Sequence, residues 1–134
     1  MGMRAEPGAN PTRLLVVEDE EVLNDLLATF IVDEGFQVAT ALDGRRALEM
    51  IETGDFDAVI LDLGLPGLDG KRILAEALAR WPDLPMLVLS GYITPDDREG
   101  LLKQGASAVL SKPTDLAELA SNVRGLLGNA APKG

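Results

Sequence analysis

The chain contains neither cysteine nor histidine. Without thiols it forms no disulfide and no thiolate metal site, and the redox compartment is left open. Without imidazole it has no Ser-His-Asp or Cys-His catalysis, no histidine-ligated metal, and no residue able to act as a histidine phosphodonor. Basic residues are also scarce: 12 Lys and Arg face 22 Asp and Glu, a net charge of −10. Nucleic-acid binding needs a basic footprint to displace counterions, so no direct nucleic-acid contact is expected. No apolar run approaches the length of a membrane span, and no charged-then-apolar leader is present, so a cytoplasmic protein without membrane contact is expected. Chemistry in such a chain must run on carboxylates, hydroxyls, lysine and a hard cation.

A chain of 134 residues fits one domain; a domain of that size hides roughly two thirds of the surface its unfolded chain exposes. Residues 1–11 and 128–134 carry Gly, Pro and Asn without periodicity and read as disordered tails flanking a domain at 12–127. Within it, four apolar runs each end in a polar residue suited to phosphate. Leu14-Leu15-Val16-Val17 runs into Glu18-Asp19, Ala58-Val59-Ile60-Leu61 into Asp62, Met86-Leu87-Val88-Leu89 into Ser90, and Ala108-Val109-Leu110-Ser111 into Lys112-Pro113. Short continuous apolar runs flanked by Gly and Pro are the pattern of strands buried on both faces of a parallel sheet.

Helical spacing fills the gaps between the runs. Val22, Leu23, Leu26, Leu27, Phe30 and Ile31 make one stripe closed by Gly35, and Phe36-Gln37-Val38-Ala39-Thr40 then reads as a short strand. Asp43 caps a second helix that buries Ala47, Leu48 and Ile51 and stops near Gly54. Ile73, Leu74, Ala77, Leu78 and Trp81 mark a third, ended by Pro82. The fourth starts with Thr94 as N-cap, Pro95 at the first position and Asp96 and Asp97 at the positive end of the dipole, and stops at Gly105. Its thin apolar content, mainly Leu101 and Leu102, predicts a weakly held, mobile element. A fifth begins at Thr114, with Leu116, Leu119, Val123 and Leu126 in register. The order (βα)5 implies a single doubly wound α/β domain of flavodoxin-like type, a five-stranded parallel sheet of order 2-1-3-4-5.

Ligands in open sheets of this kind bind beyond the carboxyl ends of the strands. Glu18, Asp19 and Asp62 meet there and repel one another, at roughly 4 kcal/mol per pair at contact range with an effective dielectric near 20. Mg²⁺ suits such a cluster, because it takes oxygen ligands and is held by one or two carboxylates with waters and phosphate oxygens completing the shell. Lys112 offers an ammonium, and Ser90 a hydroxyl, to phosphate oxygens. Asp62, alone at the end of the central strand, is then the best candidate for a nucleophile attacking phosphorus in line.

Over residues 12–127 the chain resembles the receiver domain of two-component response regulators, the chemotaxis-regulator-like superfamily. The matching segments are Val16-Val17-Glu18-Asp19-Glu20, Asp62-Leu63-Gly64-Leu65-Pro66-Gly67-Leu68-Asp69-Gly70, Ser90-Gly91-Tyr92, and Gly105-Ala106-Ser107 leading into Lys112-Pro113. The resemblance implies Asp62 as phosphoacceptor, Glu18 and Asp19 as the acidic pair serving Mg²⁺, and the Gly64 backbone carbonyl as a metal ligand. It further implies Ser90 as the switch hydroxyl, Lys112 as the phosphate-binding lysine, and a cis Lys112–Pro113 peptide. Its implied partners are a histidine kinase or histidine phosphotransfer protein and a downstream output protein or domain, with the fourth helix, fifth strand and fifth helix as the output face. Such a domain catalyses only its own phosphorylation and dephosphorylation and is not an ordinary enzyme.

The chain departs from the family where many members carry a switch Tyr or Phe: it has Val109. Tyr92 takes a variable position that tunes loss of the phosphoryl group, and its ring would shield phosphorus from water. Asp69 reads as a helix N-cap. An alternative from another class is a phosphorylation-independent interaction module; a Mg²⁺-dependent phosphohydrolase is disfavoured because Gly64 stands where such enzymes carry a second acid.

Overall fold

The computed structural model describes residues 12–63, 70–91, 93–111 and 116–130. Five strands alternate with five helices: β1 (Arg13–Val17), α1 (Glu21–Asp33), β2 (Gln37–Ala41), α2 (Gly44–Thr53), β3 (Ala58–Asp62), α3 (Gly70–Arg80), β4 (Met86–Ser90), α4 (Pro95–Gln104), β5 (Ala108–Ser111) and α5 (Leu116–Ala130). The strands form one parallel sheet in the order β2-β1-β3-β4-β5. Both the alternation and the strand order agree with the sequence reading.

Because side chains alternate across a strand, each apolar run feeds two cores. Leu15, Val17, Val59, Leu61, Met86, Val88 and Val109 point to the face covered by α2, α3 and Leu101 of α4. Leu14, Val16, Ala58, Ile60, Leu87, Leu89 and Leu110 point to the face covered by α1 and α5. This explains why the runs are continuously apolar and why polar residues begin only where the sheet ends.

Three sequence expectations are corrected. In α1, Val22 and Leu26 are not core residues: they are 77% and 51% exposed. The buried residues of α1 are Asn24, Leu27 and Ile31, and at 100° per residue Val22 and Leu26 lie roughly opposite Asn24. A polar residue is part of the buried stripe, so apolar spacing alone misplaces its axis. The second strand is Gln37–Ala41, one residue later than Phe36–Thr40, because Gln37 N–H donates to the Thr12 carbonyl (2.8 Å) and Ala41 is buried. At the far end, α5 continues past Gly128 to Ala130.

Helix boundaries follow local chemistry. Asp43 Oδ1 accepts the Arg46 N–H at 2.8 Å, capping α2 as expected. Gly35 and Gly105, with φ of +102° and +128°, leave α1 and α4 through the left-handed region that glycine enters without penalty. Gly70 is constrained by space instead: a Cβ there would collide with the backbone of Leu63. Gly70→Ala is therefore expected to destabilise the fold by about 1–3 kcal/mol, read as a lower urea midpoint at unchanged slope.

In α4 only Leu101 is buried, and Leu102 is exposed. The helix relies on its cap. Thr94 Oγ1 accepts the Asp97 N–H (3.0 Å) while Asp97 Oδ2 accepts the Thr94 N–H (3.2 Å). The Thr94 backbone bond, then its hydroxyl, hold the Asp97 carboxyl below its ordinary value, with Lys71 adding a favourable charge against a small opposing effect of burial. A lowered folded-state pKa gives stability that is present above the unfolded value and lost as pH falls through the folded one. Protection of α4 amides from hydrogen exchange is thus expected to fall below the ordinary carboxylate range, relative to α3. Asp97→Asn should abolish that dependence, and Thr94→Ala should cost about 1 kcal/mol at neutral pH.

Candidate functional site

The carboxyl edge of the sheet gathers the predicted acids. Glu18 and Asp19 follow β1, and Asp62 is the last residue of β3. The β1–β3 register pairs Val17 with Leu61, so both chains reach the edge together. One carboxylate oxygen from each of Glu18, Asp19 and Asp62 lies within 4.8 Å of the others. Ser90 ends β4, one residue beyond the Leu89 that pairs with Asp62, and is itself paired with Ser111, the residue before Lys112. Gly64, Lys112, Tyr92, Asp69 and the Lys112–Pro113 peptide lie outside the described residues.

Burial distinguishes the three acids. Glu18 and Asp62 are only 2% and 4% exposed, whereas Asp19 is open to solvent. At 4.8 Å and an effective dielectric near 20, two such charges repel by about 3.5 kcal/mol, and burial adds a desolvation cost. An all-oxygen donor set with two recessed carboxylates and one exposed matches a hard divalent cation such as Mg²⁺, which keeps several waters and an open side for a phosphate.

The turn that carries Glu18 and Asp19 is tightly hydrogen-bonded. Glu18 N–H donates to the Ala41 carbonyl (3.1 Å), prolonging the β1–β2 pairing by one residue. Glu18 Oε2 accepts the Glu20 N–H (3.1 Å). Asn24, 2% exposed, donates its carboxamide Nδ2 to the carbonyls of Glu18 (3.0 Å) and Ala41 (3.3 Å). Sequence reasoning missed Asn24. The available signal was a polar residue three positions before Leu27, inside an otherwise apolar helical stripe.

Val109 is buried against β4 and α4, and its carbonyl accepts a hydrogen bond from the Arg98 guanidinium of α4. With no ring at 109, that bond is a direct polar link between α4 and β5.

The electrostatic reading has a measurable consequence in the bare protein. In the presence of chelator, Asp62→Asn removes one of three crowded charges, and the variant is expected to unfold at higher urea, by about 1 kcal/mol. A midpoint at or below wild type would contradict repulsion as the dominant force at this edge.

The family model for the response regulator receiver domain matches residues 14–124. The chain is 42% identical over 116 residues to the transcriptional regulatory protein TcrA of Mycobacterium tuberculosis, covering 85% of this chain and 45% of that protein. It is 37% identical over 122 residues to the response regulator MprA of Mycolicibacterium vanbaalenii, covering 91% and 53% respectively. The chain thus spans about half the length of these relatives. Among solved structures, a CheY-like response regulator receiver domain protein from Methanospirillum hungatei superposes with a TM-score of 0.87 at 25% identity, covering 93% of this chain and 100% of the other. The response regulator TrrA from Thermotoga maritima, in complex with Mg²⁺-BeF, superposes with a TM-score of 0.79 at 32% identity, covering 87% and 99%.

Proposed function

Because this chain belongs to the response regulator receiver domain family, we propose that it is a phosphoacceptor switch that takes a phosphoryl group from the phosphohistidine of a histidine kinase or phosphotransfer protein onto Asp62. The observation that carries this reading is the convergence of Glu18, Asp19 and the recessed Asp62 within 4.8 Å at the carboxyl edge of the sheet. Glu18, Asp19, Asp62 and the Gly64 carbonyl would hold Mg²⁺, which when bound supplies positive charge to the oxygens of a transferring phosphoryl group.

The residues divide the remaining work. A carboxylate oxygen of Asp62 forms the O–P bond as the N–P bond of the donor imidazole breaks, and the imidazole departs with its partner. Ser90 donates a hydrogen bond, and Lys112 an ammonium charge, to the equatorial oxygens that gain charge in transfer. The phosphorylated state adds about −1.5 to −2 of charge, which draws Ser90 and Lys112 inward and biases α4 and its neighbours between two arrangements. The face of α4, β5 and α5 then serves as the surface for a downstream output protein or domain. The domain modifies itself and turns over no external metabolite.

The test is direct. Incubated with Mg²⁺ and acetyl phosphate, the protein is expected to gain the mass of one phosphoryl group, with no gain for Asp62→Asn and none with chelator. A wild-type chain that folds and gains no mass from acetyl phosphate or a phosphorylated kinase overturns the proposal and favours a phosphorylation-independent interaction module.

A further inference from the structure

We propose that Asn24 is a positioning residue for the cation site: its carboxamide fixes the turn bearing Glu18 and Asp19 in a cation-ready geometry. This rests on the reading that Glu18, Asp19 and Asp62 hold Mg²⁺.

Three observations carry it. Asn24 is one of the three buried residues of α1, one turn before sheet-facing Leu27. Burying an amide there is unfavourable unless its donors are used, and Nδ2 donates to two backbone carbonyls at the site, those of Glu18 and Ala41. Those two residues are already joined by Glu18 N–H to the Ala41 carbonyl, so one carboxamide clasps the end of β1 to the end of β2 at the point where the acids begin. Asn24 N–H donates to the Glu20 carbonyl at 2.8 Å, the first backbone bond of α1, so the helix begins where the acidic turn ends. The turn from Glu18 to Asn24 is thereby closed at both ends.

The physical need is specific. Mg²⁺ demands near-ideal octahedral geometry and dehydrates reluctantly, so its affinity depends on carboxylates that do not relax apart. The charges themselves push the turn outward. A neutral donor set that holds the backbone of Glu18 opposes this without competing for the metal, as a lysine or arginine would. Partners that orient ligands in this way typically govern metal affinity by ~10-fold or more.

Calorimetric titration of chelator-treated protein with MgCl₂ tests the inference. Asn24→Ala and the milder Asn24→Ser are expected to bind Mg²⁺ about ten-fold and a few-fold more weakly. Ile31→Val, a buried change on the same helix, should lower the melting temperature in chelator yet leave Mg²⁺ affinity at the wild-type value. Asn24 variants with wild-type affinity would reduce Asn24 to an ordinary fold residue and overturn the inference, whatever their melting temperature. Should neither variant fold, the Asn24 carboxamide resonances of the wild type decide: they are expected to shift on Mg²⁺ saturation, and unchanged resonances overturn it. A wild-type chain that binds no Mg²⁺ instead removes the reading on which the inference stands, an outcome separate from all of these.

Discussion

Three carboxylates forced together at one edge of a sheet are the constraint that organises this molecule. Their mutual repulsion, about 3.5 kcal/mol per pair at 4.8 Å and an effective dielectric near 20, is a large fraction of the 5–15 kcal/mol that a domain typically has to spare. It is tolerable because the strands that present them are deeply buried. Leu14 to Val17 and Ala58 to Leu61 are each at most 3% exposed, and burying a Val, Leu or Ile side chain contributes roughly 1.5–3 kcal/mol. The apolar runs stop where the acids start, so the core ends at the rim and the charges look outward toward where a cation and a phosphoryl group would sit.

What was legible in the sequence follows from this. Doubly buried strands must be continuously apolar, so β1, β3, β4 and β5 announced themselves, and the change of residue type at their ends marked Glu18, Asp19, Asp62 and Ser90. Local chemistry was equally readable at Asp43 and Thr94, whose side chains cap α2 and α4 as their sequence neighbours imply. The misreadings fall on residues whose environment is set at a distance. Val22 and Leu26 look like core by spacing, but the helix turns its Asn24 inward, where the carboxamide donates to the Glu18 and Ala41 carbonyls. The one local signal in α1 is the polar residue itself; the partners that explain it lie at the meeting of two strand ends. The shift of β2 by one residue has the same origin, since a strand paired only with β1 takes its register from that neighbour.

The same geometry sets an asymmetry across the sheet. On the β1–β3 side, the acids are bound into a turn closed by backbone and carboxamide hydrogen bonds. On the β4–β5 side, α4 has one buried leucine, a capping box and the Arg98 bond to the Val109 carbonyl. The proposed switch would use both halves: the one bearing the acids must not deform, and the lightly attached one must not resist.

The magnitudes are compatible with that division. Moving a two-state element from about 1:99 to 99:1 takes roughly 5.5 kcal/mol of differential stabilisation. One buried leucine contributes roughly 1.5–3 kcal/mol, an N-cap about 1, and a hydrogen bond to a charged donor about 1.5–3. The attachments of α4 are thus of the same order as the bias needed to move it. Charge-assisted bonds from a hydroxyl and an ammonium to a phosphoryl group are of that order too. By contrast, α3 buries Ile73, Leu74 and Ala77 against the same core, and displacing it would cost more than such bonds return. On the proposed function, packing rather than proximity to the site would single out α4 as the element to yield to a new charge at Asp62. With valine at position 109 there is no ring to swing inward, and the hold of α4 on β5 is the Arg98 bond to the Val109 carbonyl.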